Sequence, residues 1–501
     1  RRIGGYCMDN KPNIVLFVAD QMRCDSMHHM GNDASVTPHL DSILKEGISF
    51  ENAYCQNPVC VPSRCSFLTG LYPHTTGHRT MHYLQRHEDE PNILKEMKQN
   101  GYEVIWIGRN DVIPGDKPKT NYCDEYYDGT TFENQRDNSN SFFFPKDNLK
   151  KVTDDDIKND NFYSFYIGKL KDSEGYGKQD WNCIQSALDY IERKSKNSNS
   201  KPFFLYCTIS FPHPPYACED PWYSMIKRHL VPVRRPNIST LKDRASMLYS
   251  IESKQNLQNW SEERFTELRA TYLAMVSRFD HQFGMICNKL KELNFYDNTN
   301  IFVYSDHGDY TGDYNITEKV QNCFENPISN IPLLIKPAKN IKVKPRKTKA
   351  LAELLDIPAT IADMCHINLS YTQFGKSLVH VLSGDEIHKD AVFCEGGRIH
   401  GETQAMEKGH NPTSPYWPRL STQSSEGPEH TKALMCRMGN IKYTMRLYEK
   451  DELYDLDKDP LELVNQIDNP KYQDIVLKFK ERILYYYMET ADFVPQGRDQ
   501  R

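Results

Sequence analysis

The run Asn13-Ile-Val-Leu-Phe-Val-Ala19 decides the fold class of this chain. It is a short, continuous apolar stretch rich in β-branched residues, which is typical of a parallel strand that is buried on both faces. The polar pair Asp20-Gln21 follows it directly. Ligand sites of open α/β sheets lie outside the carboxyl ends of the strands, so we expect Asp20 and Gln21 to reach such a site.

The same pattern recurs along the chain. Further buried strands are predicted at 102–108, 202–210, 300–305 and 331–335. Helices are predicted between and after them, at 90–101, 181–194, 262–293 and 349–364. Strands that alternate with helices indicate an α/β fold with a doubly wound, mainly parallel sheet flanked by helices.

The character of the sequence changes near residue 385. Two antiparallel strands are predicted at 442–446 and 451–456, and a terminal helix at 472–488. We therefore predict a catalytic α/β domain over 1–385 and a smaller C-terminal α+β subdomain over 386–501.

Composition excludes several classes of protein. The 501 residues carry a net charge of −6 with a mean hydropathy of −0.70, which gives no indication of nucleic-acid binding. No apolar run approaches the roughly 20 residues of a membrane helix, and residues 1–13 lack the apolar core of a secretory signal. The 14 scattered cysteines favour a reducing, cytoplasmic setting, although a leader removed before Arg1 stays an alternative. The oligomeric state stays open.

The stretch Cys60-Val-Pro-Ser-Arg-Cys-Ser-Phe-Leu-Thr-Gly70 is the most informative for chemistry. It predicts the start of a helix, with Ser63 as N-cap. A helix N-terminus presents free N–H groups to an anion, so Cys60 and Arg64 are expected to face a negatively charged group. The alternative is a buried cysteine before a capped helix.

Other strand ends add the groups that a charged ester requires. Asp306 and His307 follow the strand at 300–305, and with Asp20 and Gln21 they are candidate ligands of a hard divalent cation. The transferring group's negative charge calls for cationic donors. The candidates are Arg64, Arg109, His213 and Lys319.

The pattern Cys60-x-Pro62-Ser63-Arg64-x-x-x-Leu68-Thr69-Gly70 resembles the signature of the type I sulfatases of the alkaline phosphatase superfamily. The resemblance extends from Asp20-Gln21 to a C-terminal segment at 452–465. It implies that a separate maturation enzyme oxidises Cys60 to formylglycine, the nucleophile. It also implies one divalent metal ion, Ca²⁺ first with Mg²⁺ or Mn²⁺ as alternatives. The implied ligands are Asp20, Gln21, Cys60, Asp306 and His307, and the implied sulfate contacts are Lys319 and His213.

The run Gly108-Arg109-Asn110-Asp111 departs from the family, in which Gly-Lys-x-His is common. Arg109 keeps the lysine's charge without its point-like geometry. The histidine that serves as proton donor has no evident replacement there, so His74 and His78 are kept as alternatives.

Three functions follow from this sequence. The first is hydrolysis of an O-sulfate ester of a small molecule or a glycan, with a carbohydrate sulfate as the main expectation. The second is hydrolysis of a phosphonate monoester or phosphodiester, and the third is non-catalytic binding of a sulfated glycan. Substrate choice is expected to lie in the loops at 115–180, 217–260 and 395–430, including Glu395, Arg398 and His400.

Overall fold

A computed structural model describes residues 11–87, 89–129, 153–197 and 201–494. Part of the loop predicted at 115–180, and the first ten residues, lie outside this range. Within it the strands are β1 (Asn13–Ala19), β2 (Ile48–Tyr54), β3 (Glu103–Gly108), β4 (Glu125–Tyr127), β5 (Tyr166–Leu170), β6 (Phe203–Ile209), β7 (Tyr216–Glu219), β8 (Thr299–Ser305), β9 (Leu333–Lys336), β10 (Arg346–Glu353), β11 (Val392–Gly396), β12 (Ala433–Met438), β13 (Ile441–Arg446) and β14 (Glu452–Asp455).

The helices of the same residues range from single turns to one of 31 residues. They are α1 (Pro38–Ser42), α2 (Cys60–Thr69), α3 (Pro73–Thr76), α4 (Ile93–Gln99), α5 (Asp154–Lys158), α6 (Gly175–Ser195), α7 (Trp222–Met225), α8 (Ser246–Gln255), α9 (Glu262–Glu292), α10 (Asn326–Ser329), α11 (Asp356–Met364), α12 (Val379–Ser383), α13 (Trp417–Gln423) and α14 (Gln473–Thr490). None of these helices has the length and apolar character needed to cross a membrane.

An eight-stranded sheet forms the centre of the molecule, in the order β10-β2-β9-β8-β1-β6-β3-β4. Strand β9 is antiparallel to both of its neighbours, and every other pairing is parallel. The predicted doubly wound, mainly parallel sheet is thereby confirmed.

Both faces of the sheet are covered, which explains why β1 is apolar throughout. Ile14, Leu16 and Val18 belong to the core on one face, with α2, α4 and α11. Val15 and Phe17 belong to the core on the other, with α6 and α9. A strand buried on both faces has no solvent side to keep polar.

Two local predictions are wrong. The helix predicted at 349–364 begins only at Asp356, because residues 346–353 form β10 and pair with β2. That pairing overrides the helix propensity of its Ala and Leu residues. Ser63 is not an N-cap, since α2 already begins at Cys60 after the extended Val59. The Ser63 hydroxyl instead donates to the carbonyl of Asp306.

The C-terminal part of the chain contains an antiparallel sheet in the order β11-β12-β13-β14. Helix α14 packs Phe479, Ile483 and Tyr486 onto it, against residues such as Leu434 and Tyr443. The predicted α+β character is thus confirmed, while the boundary at 385 stays a prediction.

Arg244 joins this C-terminal part to the connection between β8 and β9 of the large sheet. Its fully buried side chain bonds Glu325 at 2.7 Å and lies 3.3 Å from Glu452 of β14. It also donates to the carbonyl of Glu462. Breaking a buried ion pair leaves uncompensated charge in a dry environment.

Arg244→Gln is expected to lower the free energy of unfolding by about 3 kcal/mol, because the buried Glu325 would lose its ion-pair partner, whereas Glu452 keeps Arg446 at 2.7 Å. Urea unfolding measures this change. The control is Arg228→Gln, which breaks a partly exposed pair with Glu267 and is expected to cost less than about 1 kcal/mol. Equal losses in the two variants would contradict the account.

Candidate active site

The carboxyl ends of four adjacent strands converge on one buried site. Asp20 follows β1, Arg109 follows β3, His213 lies four residues beyond β6, and Asp306 follows β8. The strand ends are tied together, since the Asp20 N–H donates to Ile209 of β6 and the Asp306 N–H donates to Ala19 of β1. Parallel register therefore fixes how these side chains approach one another.

Four potential metal-ligating side chains lie together at this point, namely Asp20, Cys60, Asp306 and His307, and all are buried. Their ligand atoms lie within 4.8 Å of one another. The Sγ of Cys60 is 3.2 Å from Nε2 of His307 and 3.7 Å from Oδ1 of Asp20. The N-terminus of α2 places Cys60 here, as expected from the sequence.

These atoms fit a bound cation. The Nδ1 of His307 lies 3.0 Å from the carbonyl of Gly308, a contact that requires a proton on Nδ1 and leaves a lone pair on Nε2. This Nε2 faces Oδ1 of Asp20 at 3.8 Å and Oδ1 of Asp306 at 3.6 Å. Burial lowers the pKa of His307, so the ring is neutral at pH 7 and three acceptor atoms face one another. A cation between them satisfies all three.

The loop that carries Asp306 and His307 is held tightly in place. The Gly308 and Asp309 N–H groups donate to the carbonyls of Ile328 and Pro327. A Cβ atom on Gly308 would lie 2.0 Å from the Pro327 carbonyl oxygen. Only glycine permits this close approach, which fixes the orientation of the two preceding side chains.

Two arginines balance the negative charges of the carboxylates in this site. Arg64 donates from Nε to Asp306 at 2.9 Å and from Nη2 to Asp20 at 3.0 Å, with no exposed surface. Arg109 donates to Asp20 at 3.0 Å and pairs with Asp111 at 2.7 Å. Arg64 therefore holds the two carboxylates with Nε and Nη2, while its buried Nη1 has no partner among the described residues; Arg109 stands at the more open side.

Gln21 is placed differently from the four residues above. Its side-chain oxygen accepts from Lys319 at 2.8 Å and its amide nitrogen donates to Asp309 at 2.6 Å. Its backbone has a φ of +71°, unusual for a residue other than glycine. As a metal ligand Gln21 stays a prediction, since in this structure its amide links Lys319 to Asp309.

Lys319 and His213 form a contact of their own. Nζ of Lys319 is 3.0 Å from Nε2 of His213, whose Nδ1 lies 2.6 Å from the Pro214 carbonyl. Burial and the Lys319 charge lower the pKa of His213 well below its ordinary value. His213 is thus neutral, with its proton on Nδ1, and Lys319 donates to it.

The surroundings of Asp20 and Cys60 shift the pKa values of these two groups in opposite directions. Burial alone would raise the pKa of Asp20, but the neighbouring cations Arg109, Arg64 and Lys319 hold it well below its usual range. Burial and the Asp20 carboxylate raise the pKa of the Cys60 thiol well above its ordinary value. An unmodified Cys60 is therefore a neutral thiol and a poor nucleophile.

The alternative histidines lie in other contacts. His74 bonds Glu395 at 2.8 Å and Thr490 at 2.9 Å. His78 bonds the Tyr83 carbonyl and Glu90, both at 2.7 Å. Neither bonds a member of the four-residue group, so their part in proton donation stays a prediction.

The loop at 395–430 meets the site through residues that the sequence did not indicate. Arg419 of α13 lies 3.0 Å from Glu318, which pairs with Lys319 at 2.8 Å. By contrast, Arg398 is buried in contacts with 425–426 and His400 stacks on Tyr448 at 3.8 Å. No local pattern marks Arg419, because its partner lies about 100 residues earlier.

The buried His213 predicts a dependence of stability on pH. Below its unfolded pKa of about 6.5 the unfolded chain binds a proton that the folded His213 does not, so stability falls as the pH falls. His213→Gln is expected to remove up to about 2 kcal/mol of the loss between pH 6.5 and pH 5, at about 1.4 kcal/mol per unit. Urea unfolding at several pH values measures this slope.

The matched control is His229→Gln at an exposed position. It is expected to keep the wild-type slope. A wild-type slope in His213→Gln would mean that His213 is not held neutral in the folded protein.

Comparison with known proteins places this site in a family. The family model described as Sulfatase matches residues 12–367. An arylsulfatase of Clostridium perfringens is 26% identical over 499 residues, covering 95% of this chain and 92% of the relative. The chain therefore belongs to the sulfatase family, in which relatives such as this arylsulfatase are sulfuric ester hydrolases.

Solved structures agree on the fold. The phosphonate monoester hydrolase of Agrobacterium radiobacter aligns with a TM-score of 0.75 at 20% identity, over 96% of each chain. A protein solved in complex with its substrate D-glucosamine-2-N,6-O-disulfate aligns with a TM-score of 0.71 at 17% identity, over 98% of this chain and all of the other. At these identities the likeness is one of fold.

Proposed function

We propose that this enzyme hydrolyses O-sulfate esters of carbohydrates, with formylglycine made from Cys60 as its nucleophile. The observation that carries the proposal is the position of Cys60. Its Sγ lies at the N-terminus of α2, beside Asp20 and His307. The positive charges of Lys319 and Arg109 also act on it. Nucleophile, carboxylates and cations thus meet at one buried point.

We propose further that Asp20, Asp306 and His307, with the modified residue 60, hold one divalent metal ion. Carboxylate oxygens favour Ca²⁺ or Mg²⁺, and the His307 nitrogen also suits Mn²⁺; Ca²⁺ is the first expectation. When bound, such an ion withdraws electrons from a sulfate oxygen and lowers the pKa of the nucleophile. Arg64 positions Asp20 and Asp306 for this task.

The reaction proposed for residue 60 balances in two steps. The aldehyde of residue 60 is first hydrated to a diol. In the first step, one hydroxyl of this diol loses its proton and attacks sulfur, while the sulfur–oxygen bond to the alcohol breaks. The second hydroxyl then loses its proton, the carbonyl forms again, and sulfate leaves. Here Sγ of Cys60 stands in for the attacking oxygen, 3.7 Å from Oδ1 of Asp20.

The remaining cations act on the sulfate group. Lys319 and Arg109 are proposed to bind its oxygens, where charge accumulates in the transition state. His213 accepts a hydrogen bond from Lys319 on Nε2 and holds its own proton on Nδ1 against the Pro214 carbonyl. We therefore propose that His213 orients the Lys319 ammonium, which is the nearest group with a proton to give to the departing alcohol.

A second candidate activity is hydrolysis of phosphonate monoesters or phosphodiesters. The pair Asp20-Gln21 is compatible with this activity. The fold of the phosphonate monoester hydrolase also aligns over 96% of each chain. Against it stands the family match, which is to sulfatases.

Parallel assays on matched aryl esters separate the candidates. With protein whose residue 60 has been converted by co-expressed maturation enzyme, kcat/KM for 4-nitrophenyl sulfate is expected to exceed that for 4-nitrophenyl phenylphosphonate by about 100-fold. This corresponds to about 2.7 kcal/mol of transition-state discrimination. The reverse order would establish the second candidate, and turnover of neither aryl ester nor of any sulfated monosaccharide would favour a glycan-binding protein. Sulfated monosaccharides then define the natural substrate.

A further inference from the structure

A cavity of about 210 Å³ lies beside the loop that follows β1. A single water molecule needs only about 10–15 Å³ measured this way, so the cavity has room for a polyatomic ion. Its lining includes Arg23, Asp25, Asn32, Arg269, Tyr272 and Thr311. None of these residues belongs to the site described above.

The charges around this cavity do not balance. Three arginines converge on the buried Asp313, with Arg23 and Arg235 each at 2.9 Å and Arg269 at 3.1 Å. Asp25 supplies the second carboxylate, at 2.7 Å from Arg23, and is about half exposed. Three cations and two anions leave a formal charge of +1.

Arg269 is the cation with unused hydrogen-bonding capacity. Arg23 uses all three of its guanidinium nitrogens on Asp25, Asp313, Thr311 and backbone carbonyls. Within the described residues, Arg269 donates only from Nη1, to Asp313 and the Thr311 carbonyl, and its buried Nε has no partner. Burial lowers the pKa of Arg269, and although Asp313 opposes this, Arg23 lowers it further.

The cavity is closed off from the candidate active site. Gln21, Tyr272 and Asp309 stand between them, and each is at most 2% exposed. The Tyr272 hydroxyl donates to the Gln21 carbonyl and accepts from the Arg23 N–H. A substrate ester placed at Cys60 therefore has no path through this wall, so a ligand of the cavity enters separately from solvent.

We propose that this cavity binds a free tetrahedral inorganic oxyanion, sulfate or phosphate, paired with Arg269. Such an ion would accept from Nη2 of Arg269, which bonds no described residue, and would cancel the excess positive charge. A guanidinium donates to an oxyanion through two parallel N–H groups, a geometry that chloride cannot match. The inference does not depend on the proposed reaction at Cys60.

Equilibrium dialysis with radiolabelled inorganic sulfate tests the proposal, with the ionic strength held constant by sodium chloride and the measurement repeated with phosphate. Arg269→Gln is expected to bind one sulfate fewer than the wild type. The control Arg264→Gln lies on the same helix and pairs with Asp160 outside the cavity, so it is expected to keep the wild-type number. Sulfate bound at the active site is common to all three proteins and cancels.

The same number of bound sulfates in Arg269→Gln and Arg264→Gln would overturn the proposal, and water would then be the occupant of the cavity. Circular dichroism first establishes that both variants fold. If Arg269→Gln does not fold, Arg269→Lys takes its place. It keeps the charge but lacks the planar fork, so sulfate should bind there about 10-fold more weakly; unchanged affinity would contradict the site.

Discussion

Cys60→Ala is expected to lower kcat/KM for an aryl sulfate by at least about 10⁴-fold, since loss of a catalytic nucleophile has effects of this order. The fold should survive, because alanine fits a buried position at the start of α2 without a new polar group. Steady-state kinetics on protein with established metal content measures the loss. The physical reason is that no other group at this point can form and release the covalent sulfate ester.

Cys65→Ala is the matched control for this prediction. Cys65 is a second buried cysteine of α2, just over one turn further along. Its removal is expected to cost about 1 kcal/mol of stability and to leave turnover at the wild-type level. Equal loss of activity in both variants would mean that helix packing, and not the nucleophile, had been disturbed.

Asp20→Asn should lower both metal affinity and turnover. Substitutions of outer-shell partners already reduce metal affinity by about 10–100-fold, so loss of a direct carboxylate ligand is expected to exceed 100-fold. Turnover should fall by at least about 10³-fold at sub-saturating metal, because Asp20 also accepts hydrogen bonds from Arg64 and Arg109. Elemental analysis after dialysis, and the metal dependence of kcat, measure the two effects.

Asp111→Asn separates metal loss from the loss of an ion pair. Asp111 pairs with Arg109 at 2.7 Å and lies 3.8 Å from Arg64, but it is not one of the four clustered residues. The Asp111→Asn variant is expected to keep its metal but to lose some activity, because Arg109 would lose its ion-pair partner. If Asp20→Asn kept its metal as firmly as Asp111→Asn does, the proposed metal site would be wrong.

Much of this site follows from local sequence patterns. Asp20, Arg109 and Asp306 each stand directly after an apolar strand, and parallel pairing brings such ends to one edge. Cys60 and Arg64 lie in a helix start with its own pattern. These positions are decided by hydrophobic periodicity, which a single sequence displays.

The remainder depends on contacts between distant segments. Lys319 lies in the long connection between β8 and β9, where no strand end places it, and its approach to Gln21 and His213 depends on distant parts of the chain. Glu318 and Arg419, which come together across about 100 residues, carry no local pattern at all. The helix predicted at 349–364 wrongly includes residues 349–353 of β10 for the same reason, since the pairing of β10 with β2 is what makes it a strand.

Gln21 shows the same limit at the level of one side chain. Its position after β1 predicts that it reaches the site, and it does. The orientation of its amide, however, depends on Lys319 and Asp309, which come from elsewhere in the chain. A strand-end pattern places the backbone but does not choose the rotamer.

The most direct test of the central claim is the mass of the tryptic peptide 46–64, taken from protein made in its native source. Conversion of Cys60 to formylglycine is predicted to make this peptide about 18 Da lighter, with an aldehyde that a carbonyl-reactive probe labels. An unmodified thiol at position 60, in protein that is fully active on sulfate esters, would contradict the account.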